Sequence, residues 1–256
     1  MNHKRWIIGL SLLSLLTVRA QDFKDFKNEL DISVGYSFGS IKDLNFAPLN
    51  YRENGINYGI GYTRKLETGN LFSMRFDYAD AEIETDASDF LTSDYTSGNA
   101  RISYLIDVGS ISNKLHFFLG GEYQTNWNKI EFQAFGVPKD SYLVAHSLNI
   151  AALLAYSLNE RNTLLFKAAL PLVSFTVRPP FSEFDEEFDS FRLFDGGELG
   201  SFNKYVAFDG YFLYQYTLLQ NVNLNASYTF LYQKHSEENE FTRFNSRLNI
   251  GVSLKF

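Results

Sequence analysis

The chain has 256 residues, 23 of them basic and 30 acidic, for a net charge of −7. Such a balance gives no electrostatic reason to bind nucleic acid, and the complete lack of Cys excludes disulfides, thiolate metal sites, cysteine nucleophiles and lipid attachment through a thiol. Beyond the first twenty residues no segment is apolar over the roughly 18 positions a transmembrane helix needs, yet 25 Phe and 16 Tyr are more than a soluble core of this size uses.

In chain order, residues 1–20 begin with His3, Lys4 and Arg5, continue through the apolar run Trp6 to Leu16 and end on Val18-Arg19-Ala20. This is the pattern of a secretory signal with cleavage expected after Ala20. Its removal leaves 20 basic against 30 acidic residues, a charge of −10. Residues 21–28 follow as a lead-in too short to fold alone.

Ten alternating segments come next, at about 29–39, 55–66, 70–82, 95–107, 115–128, 141–157, 163–177, 205–218, 222–234 and 241–256. Each puts an apolar set on one face, such as Leu30, Ile32, Val34 and Tyr36 in the first and Val222, Leu224, Ala226 and Tyr228 in the ninth. The other face is polar, which is the period-2 signature of a strand. The seventh is less clean: Pro171 cannot donate to a ladder, so a bulge with a slip of parity is expected there. Short turns near 67–70, 109–113, 159–162 and 220–221 alternate with longer links near 40–54, 83–94, 129–140, 178–204 and 235–240.

The last segment, Arg247 to Phe256, alternates strictly and ends on an aromatic, with Leu248, Ile250, Val252, Leu254 and Phe256 on one face. It resembles the C-terminal targeting strand of bacterial outer-membrane β-barrels. The resemblance implies an all-β transmembrane antiparallel up-and-down barrel over 29–256, of about ten strands, with short periplasmic turns, long extracellular loops and 21–28 as a periplasmic lead-in. It further implies an outer-membrane location, contact with outer-membrane lipid, and insertion by the barrel-assembly machinery. That machinery would read Phe256 together with Leu254, Val252 and Ile250. The abundance of Phe, Tyr and Asn would suit a Bacteroidota source.

Outer-membrane enzymes set the test for catalysis. Ten-stranded proteases of the omptin type use an Asp-x-His pair, and outer-membrane phospholipases and lipid A deacylases use His-x-Ser, since a Ser hydroxyl needs a base beside it to become a nucleophile. Neither motif occurs. His146-Ser147 and His235-Ser236 are adjacent in sequence, which on a strand sends the two side chains to opposite faces. Both histidines are expected to be exposed near loop ends. No catalytic residue, cofactor or metal is therefore expected.

The inward positions carry both signs of charge: Asp31, Arg75, Asp77, Arg101, Asp107, His116, Glu122, Lys167, Asp209, Arg243, Arg247 and Lys255. In a lumen only slightly wider than that of an eight-stranded barrel, opposite charges should pair and fill the space. Small inward residues such as Gly35, Gly59, Gly61, Gly120, Gly251 and Ser227 leave a narrow polar channel as the alternative. The link from Arg178 to Asn203 interleaves Phe181, Phe184, Phe188, Phe191, Phe194 and Phe202 with seven carboxylates that lack the spacing of an EF-hand loop. It reads either as a contact patch for an envelope protein partner or as a self-packed loop capping the barrel. The expected function is thus a non-catalytic outer-membrane barrel with a structural or partner-binding role. A small-solute channel is the alternative, followed by a hydrolase lacking the known motifs.

Overall fold

The computed structural model describes residues 26–45, 47–132, 139–178, 191–236 and 240–256. The expected signal segment, and Phe181, Phe184 and Phe188 of the long link, lie outside these residues. Ten long strands are β1 (Asn28–Asp43), β2 (Ala47–Lys65), β3 (Leu71–Thr85), β4 (Ser88–Ser112), β5 (Leu115–Phe132), β6 (Lys139–Asn159), β7 (Asn162–Val177), β9 (Tyr205–Leu219), β10 (Val222–His235) and β11 (Phe241–Lys255). A three-residue strand, β8 (Glu198–Gly200), pairs with the upper part of β7. Every long strand is antiparallel to its two neighbours, and β1 pairs with β11 from Glu29↔Lys255 to Asp43↔Phe241. The ring is closed, and its β7–β9 ladder ends at Ala169↔Asp209, above which β8 takes the edge of β7 from Ser174 to Thr176. The expected count of ten strands and the four short turns are found; at the first, Gly69 holds φ +87, donates to the Leu66 carbonyl and lets the chain reverse.

The outward apolar sets form an exposed belt: Ile32, Ile60, Phe76, Ile102, Leu148, Phe166, Leu224 and Ile250 all expose large apolar side chains. Aromatic rings edge it on the extracellular side, where Phe208, Phe230 and Phe244 meet edge to face at 5.8 and 4.9 Å across β9, β10 and β11.

Most of the long links are shorter than the sequence suggested, and the reason is physical. On β3 the outward series Phe72, Met74, Phe76, Tyr78 continues as Asp80, Glu82, Glu84, while the inward series Ser73, Arg75, Asp77 continues as the buried Ala79, Ala81, Ile83. The backbone pairing with β2 and β4 runs on unbroken through this switch. Below the switch the outside is apolar; above it the outside is polar and the inside becomes an ordinary apolar core. The hydrophobic parity inverts although the strand does not end. Links expected at 40–54, 83–94 and 129–140 therefore shrink to 44–46, 86–87 and 133–138. With 25 residues, β4 climbs about 60 Å at a tilt of about 40°, well beyond the roughly 25 Å apolar band.

The lumen is layered accordingly. Its extracellular part is packed by Ile41, Tyr51, Ile83, Tyr95, Ile130, Leu143, Tyr205 and Phe241, contributed by strands all round the ring. A polar belt lies beneath. On the β3 to β9 side of the periplasmic end Leu71, Leu105, Phe118, Leu165 and Leu213 pack with Phe26, whose ring comes from the lead-in and is buried in the mouth. Pro171 is where the seventh segment slips. Leu148 faces Val173 but Asn149 faces Pro171, so Leu172 bulges out and the outward set changes from Leu164, Phe166, Ala168, Leu170 to Val173, Phe175, Val177.

Candidate functional site

The polar belt joins most of the inward charges predicted from sequence. The Arg75 guanidinium reaches Asp31 at 2.6 Å and donates from Nε to both Asp77 oxygens at 3.0 and 3.1 Å. Arg101 takes the other side of Asp77 at 2.8 Å and extends Nη1 across the lumen to Asp209 at 3.1 and 3.2 Å. Asp209 also accepts from Gln124 at 2.8 Å. Five charges on β1, β3, β4 and β9 are thus linked from wall to opposite wall. Lys167 pairs with the fully buried Glu122 beside them. Arg247 donates to Asn245 at 2.9 Å and to Ser97 at 3.2 Å.

A second crossing lies above. Arg243 holds Glu53 through Nε and Nη2 at 3.0 to 3.2 Å, donates to Asn128 on the far side of the ring, and lies 5.1 Å from the centre of the Tyr95 ring. Both charged partners are essentially inaccessible, at 2% and 0% side-chain exposure. Higher still, Arg178 reaches the buried Asp43, whose other oxygen accepts from Ser141 at 2.7 Å. At the rim outside the membrane, Lys234 lies 3.0 Å from Glu240, donates to it and holds its carboxyl below the usual range.

Glycine makes this packing possible at one point in particular. An added Cβ on Gly59 would lie 2.6 Å from Arg75 Nη2 and from Ser33 Oγ, so the guanidinium occupies the volume a side chain would take. At Gly59 the missing side chain therefore admits the network. A cavity of about 130 Å³ remains at the periplasmic end near Phe26, Arg75, Lys167 and Tyr211, room for a few waters.

Three predicted members stand apart. Asp107 sits at the periplasmic turn, where its carboxylate accepts from the Gly109 amide at 2.9 Å, His116 is buried inward near the same end without joining the linked charges, and Lys255 lies 5.7 Å from the centre of the Phe26 ring at the mouth. Glu53 and Asp43 were missed because they fall in the stretch read as a link; continuing the inward parity of Gly59 and Asn57 backward would have reached Glu53.

Neither of the two histidines near loop ends is exposed; each is 6% accessible. His146 points outward from β6 while Ser147 points inward. Its Nδ1 is bonded to Tyr123 Oη at 2.9 Å and Thr125 Oγ1 at 3.0 Å, and its Nε2 lies 2.8 Å from the Leu193 carbonyl. His235 faces inward between Tyr205 and Phe241, and Ser236 lies beyond the strand, its amide bonded to the Lys204 carbonyl. Neither has a Ser placed as a nucleophile. Among the described residues no group of three His, Asp or Glu could hold a metal ion.

Of the aromatic link, Phe191 packs edge-on against Tyr142 at 5.3 Å and Phe194 stacks on His146 at 4.4 Å. Tyr142 and His146 both lie on the outer wall, so the described part of the link packs outside the barrel and does not cap its mouth. Ile250, Val252 and Leu254 on β11 and Phe256 just past its end are 43 to 70% exposed, on the outward face. Phe256 exchanges backbone bonds of 2.9 Å with Asn28.

A closed ten-stranded antiparallel ring with an apolar outer belt and a polar lumen has the architecture of a transmembrane β-barrel of the bacterial outer-membrane kind. No protein-family model and no curated protein matches the chain. Among solved structures it is similar to the translocator domain of the autotransporter NalP from Neisseria meningitidis, at 9% identity and TM-score 0.46, covering 98% of this chain and 96% of that one. It is similar also to Neisserial surface protein A (12% identity, 90% and 97% covered, TM-score 0.41). A third is Ail, the attachment invasion locus protein of Yersinia pestis (12%, 89% and 99%, TM-score 0.37). Nothing in the fold bears on a Bacteroidota source.

Proposed function

We propose that this chain is a non-catalytic outer-membrane protein whose lumen is sealed and which acts at the cell surface through its extracellular end, in a structural or partner-binding role within the envelope. The observation that carries the reading is the Arg101–Asp209 bridge across the lumen at 3.1 Å, both groups 5% exposed. An ion or solute in transit would have to break it, and breaking a buried pair without replacement costs about 3 to 5 kcal/mol. The export signal over residues 1–20, and insertion by the barrel-assembly machinery through the strand ending at Phe256, belong to the same proposal. A hydrolytic role finds no support in His146, whose ring nitrogens are engaged by the wall and by the link.

The test is electrical. Purified barrel in planar bilayers should show no stable single-channel steps. Reproducible ohmic steps whose size changes in Asp209→Asn would replace this proposal with the channel reading.

A further inference from the structure

Above the lipid belt, the outer wall is polar on most strands: Asp80 and Glu82 on β3, Asp94 on β4, Lys129 and Glu131 on β5, Lys234 on β10. The exception is β6 and β7, where Tyr142, Val144, Phe175 and Val177 point outward. The link between β7 and β9 lies on this greasy sector. Besides the Phe191 and Phe194 contacts, β8 pairs Leu199 with Phe175, and Gly197 approaches so closely that an added Cβ would lie 2.4 Å from the Phe175 ring.

Covering one apolar surface exposes another. Leu199 is 71% exposed, Phe194 64%, Phe202 54% and Leu193 45%. A loop surrounded by water gains nothing from such a surface, and an apolar patch of this kind marks a contact. Its height names the occupant. Leu199 stands beside Phe175, two residues past Val173, where the exposed apolar series of β7 (Phe166, Leu170, Leu172, Val173) ends. Phe202 lies in the turn Ser201 to Lys204 that returns the chain to Tyr205, at the start of the strand that carries Phe208 of the aromatic edge. The patch is therefore continuous with the lipid belt. At this level the link also carries two ion pairs, Arg192 with Asp195 and Lys204 with Glu198, the cations each 28% exposed and the carboxylates 82% and 61%, a mixed polar set that suits a headgroup layer.

We propose that residues 191–204 form a flap seated in the outer leaflet, with Leu199 and Phe202 among the acyl chains and Arg192 and Lys204 at the headgroups. Its occupant is lipid, not a protein partner. The proposal rests on the outer-membrane reading but adds a surface that reading does not contain.

The lack of Cys makes the test clean. Nitroxide-labelled Leu199→Cys and Phe202→Cys barrels, each first shown to be heat-modifiable, are placed in vesicles of phosphatidylethanolamine and phosphatidylglycerol, and label collisions with oxygen and with a water-soluble nickel chelate are compared. Ile250→Cys serves as the lipid reference and Glu131→Cys as the water reference. The labels at 199 and 202 should favour oxygen several-fold, as at 250. Behaviour like that at 131, or shielding from both reagents as under a second copy or another protein, overturns the flap. If Ile250→Cys itself sits in water, the outer-membrane reading fails and the flap with it. Leu199, whose side chain is mostly exposed, remains decisive if Phe202→Cys does not fold.

Discussion

Replacing Asp209 by Ala tests whether the lumen network is dry. The carboxylate accepts two contacts from Arg101 at 3.1 and 3.2 Å, one from Gln124 at 2.8 Å and a longer one from Asn99 at 3.4 Å. In Asp209→Ala, Arg101 keeps Asp77 but loses its far anchor, and the Gln124 amide loses its closest acceptor. Removing one partner of a buried pair costs about 3 to 5 kcal/mol, because the remaining charge stays desolvated. With a urea slope of about 2 to 3 kcal/mol per M, the midpoint should fall by roughly 1 to 2.5 M. The assay is reversible unfolding in detergent or lipid vesicles, followed by Trp127 fluorescence and heat modifiability. In the double variant Arg101→Met/Asp209→Ala the stranded charge is gone, so at least half of the loss should be recovered. A cost below about 1 kcal/mol, the range of solvated pairs, together with no recovery in the double variant, would mean that water fills the lumen. The sealed-barrel argument would then be wrong.

Three further outcomes follow from particular contacts. Gly98 faces Trp127 on β5, and an added Cβ would fall 1.8 Å from the indole, so Gly98→Val should eject the ring from its place beside Phe76, shift its emission and cost about 1 to 3 kcal/mol; unchanged emission and stability would contradict the packing. His146→Ala removes the bond to Leu193 and the stack on Phe194, so protease should cut within residues 191–204 faster, while lipid and peptide hydrolysis stay at background in both proteins. Phe256→Asp should lower the amount of heat-modifiable barrel in the outer membrane; wild-type levels would remove the targeting role carried over by resemblance.

The part of the fold that lies in lipid was legible because lipid imposes one rule on every strand: apolar out, with polar tolerated in. That rule yields the ten strands, the outward faces and the slip at Pro171, whose missing amide marks its own irregularity. It fails above the bilayer. On β3 a reader following Phe72, Met74, Phe76 and Tyr78 meets Asp80 and concludes that the strand has ended, whereas Ala79, Ala81 and Ile83 have taken over as the apolar set on the other face. Glu53 and Asp43 were lost to the same error. The place of the long link was hidden for another reason: its contacts with Tyr142, His146 and Phe175 depend on three residues distant in sequence, and no local pattern announces them.

The layering also explains why the charges inside can be kept. A carboxylate and a guanidinium at membrane depth are stable only as a fully bonded set, and such a set holds together best where water is excluded. The extracellular core of Ile83, Tyr95, Ile130, Leu143, Tyr205 and Phe241 supplies that exclusion from above, and Phe26 with Leu71, Leu165 and Leu213 supplies part of it from below. Along the inside of the barrel Glu29, Asp31, Asp43, Glu53, Asp77, Glu122 and Asp209 are set against Arg75, Arg101, Lys167, Arg178, Arg243, Arg247 and Lys255. The named charges balance, seven of each sign. A barrel selected for conduction would gain from the opposite arrangement, with unpaired charge of one sign along a wet path. On the proposed reading, a sealed lumen leaves the outer wall and the links to meet a partner or a lipid, and the exposed residues of 191–204 lie there.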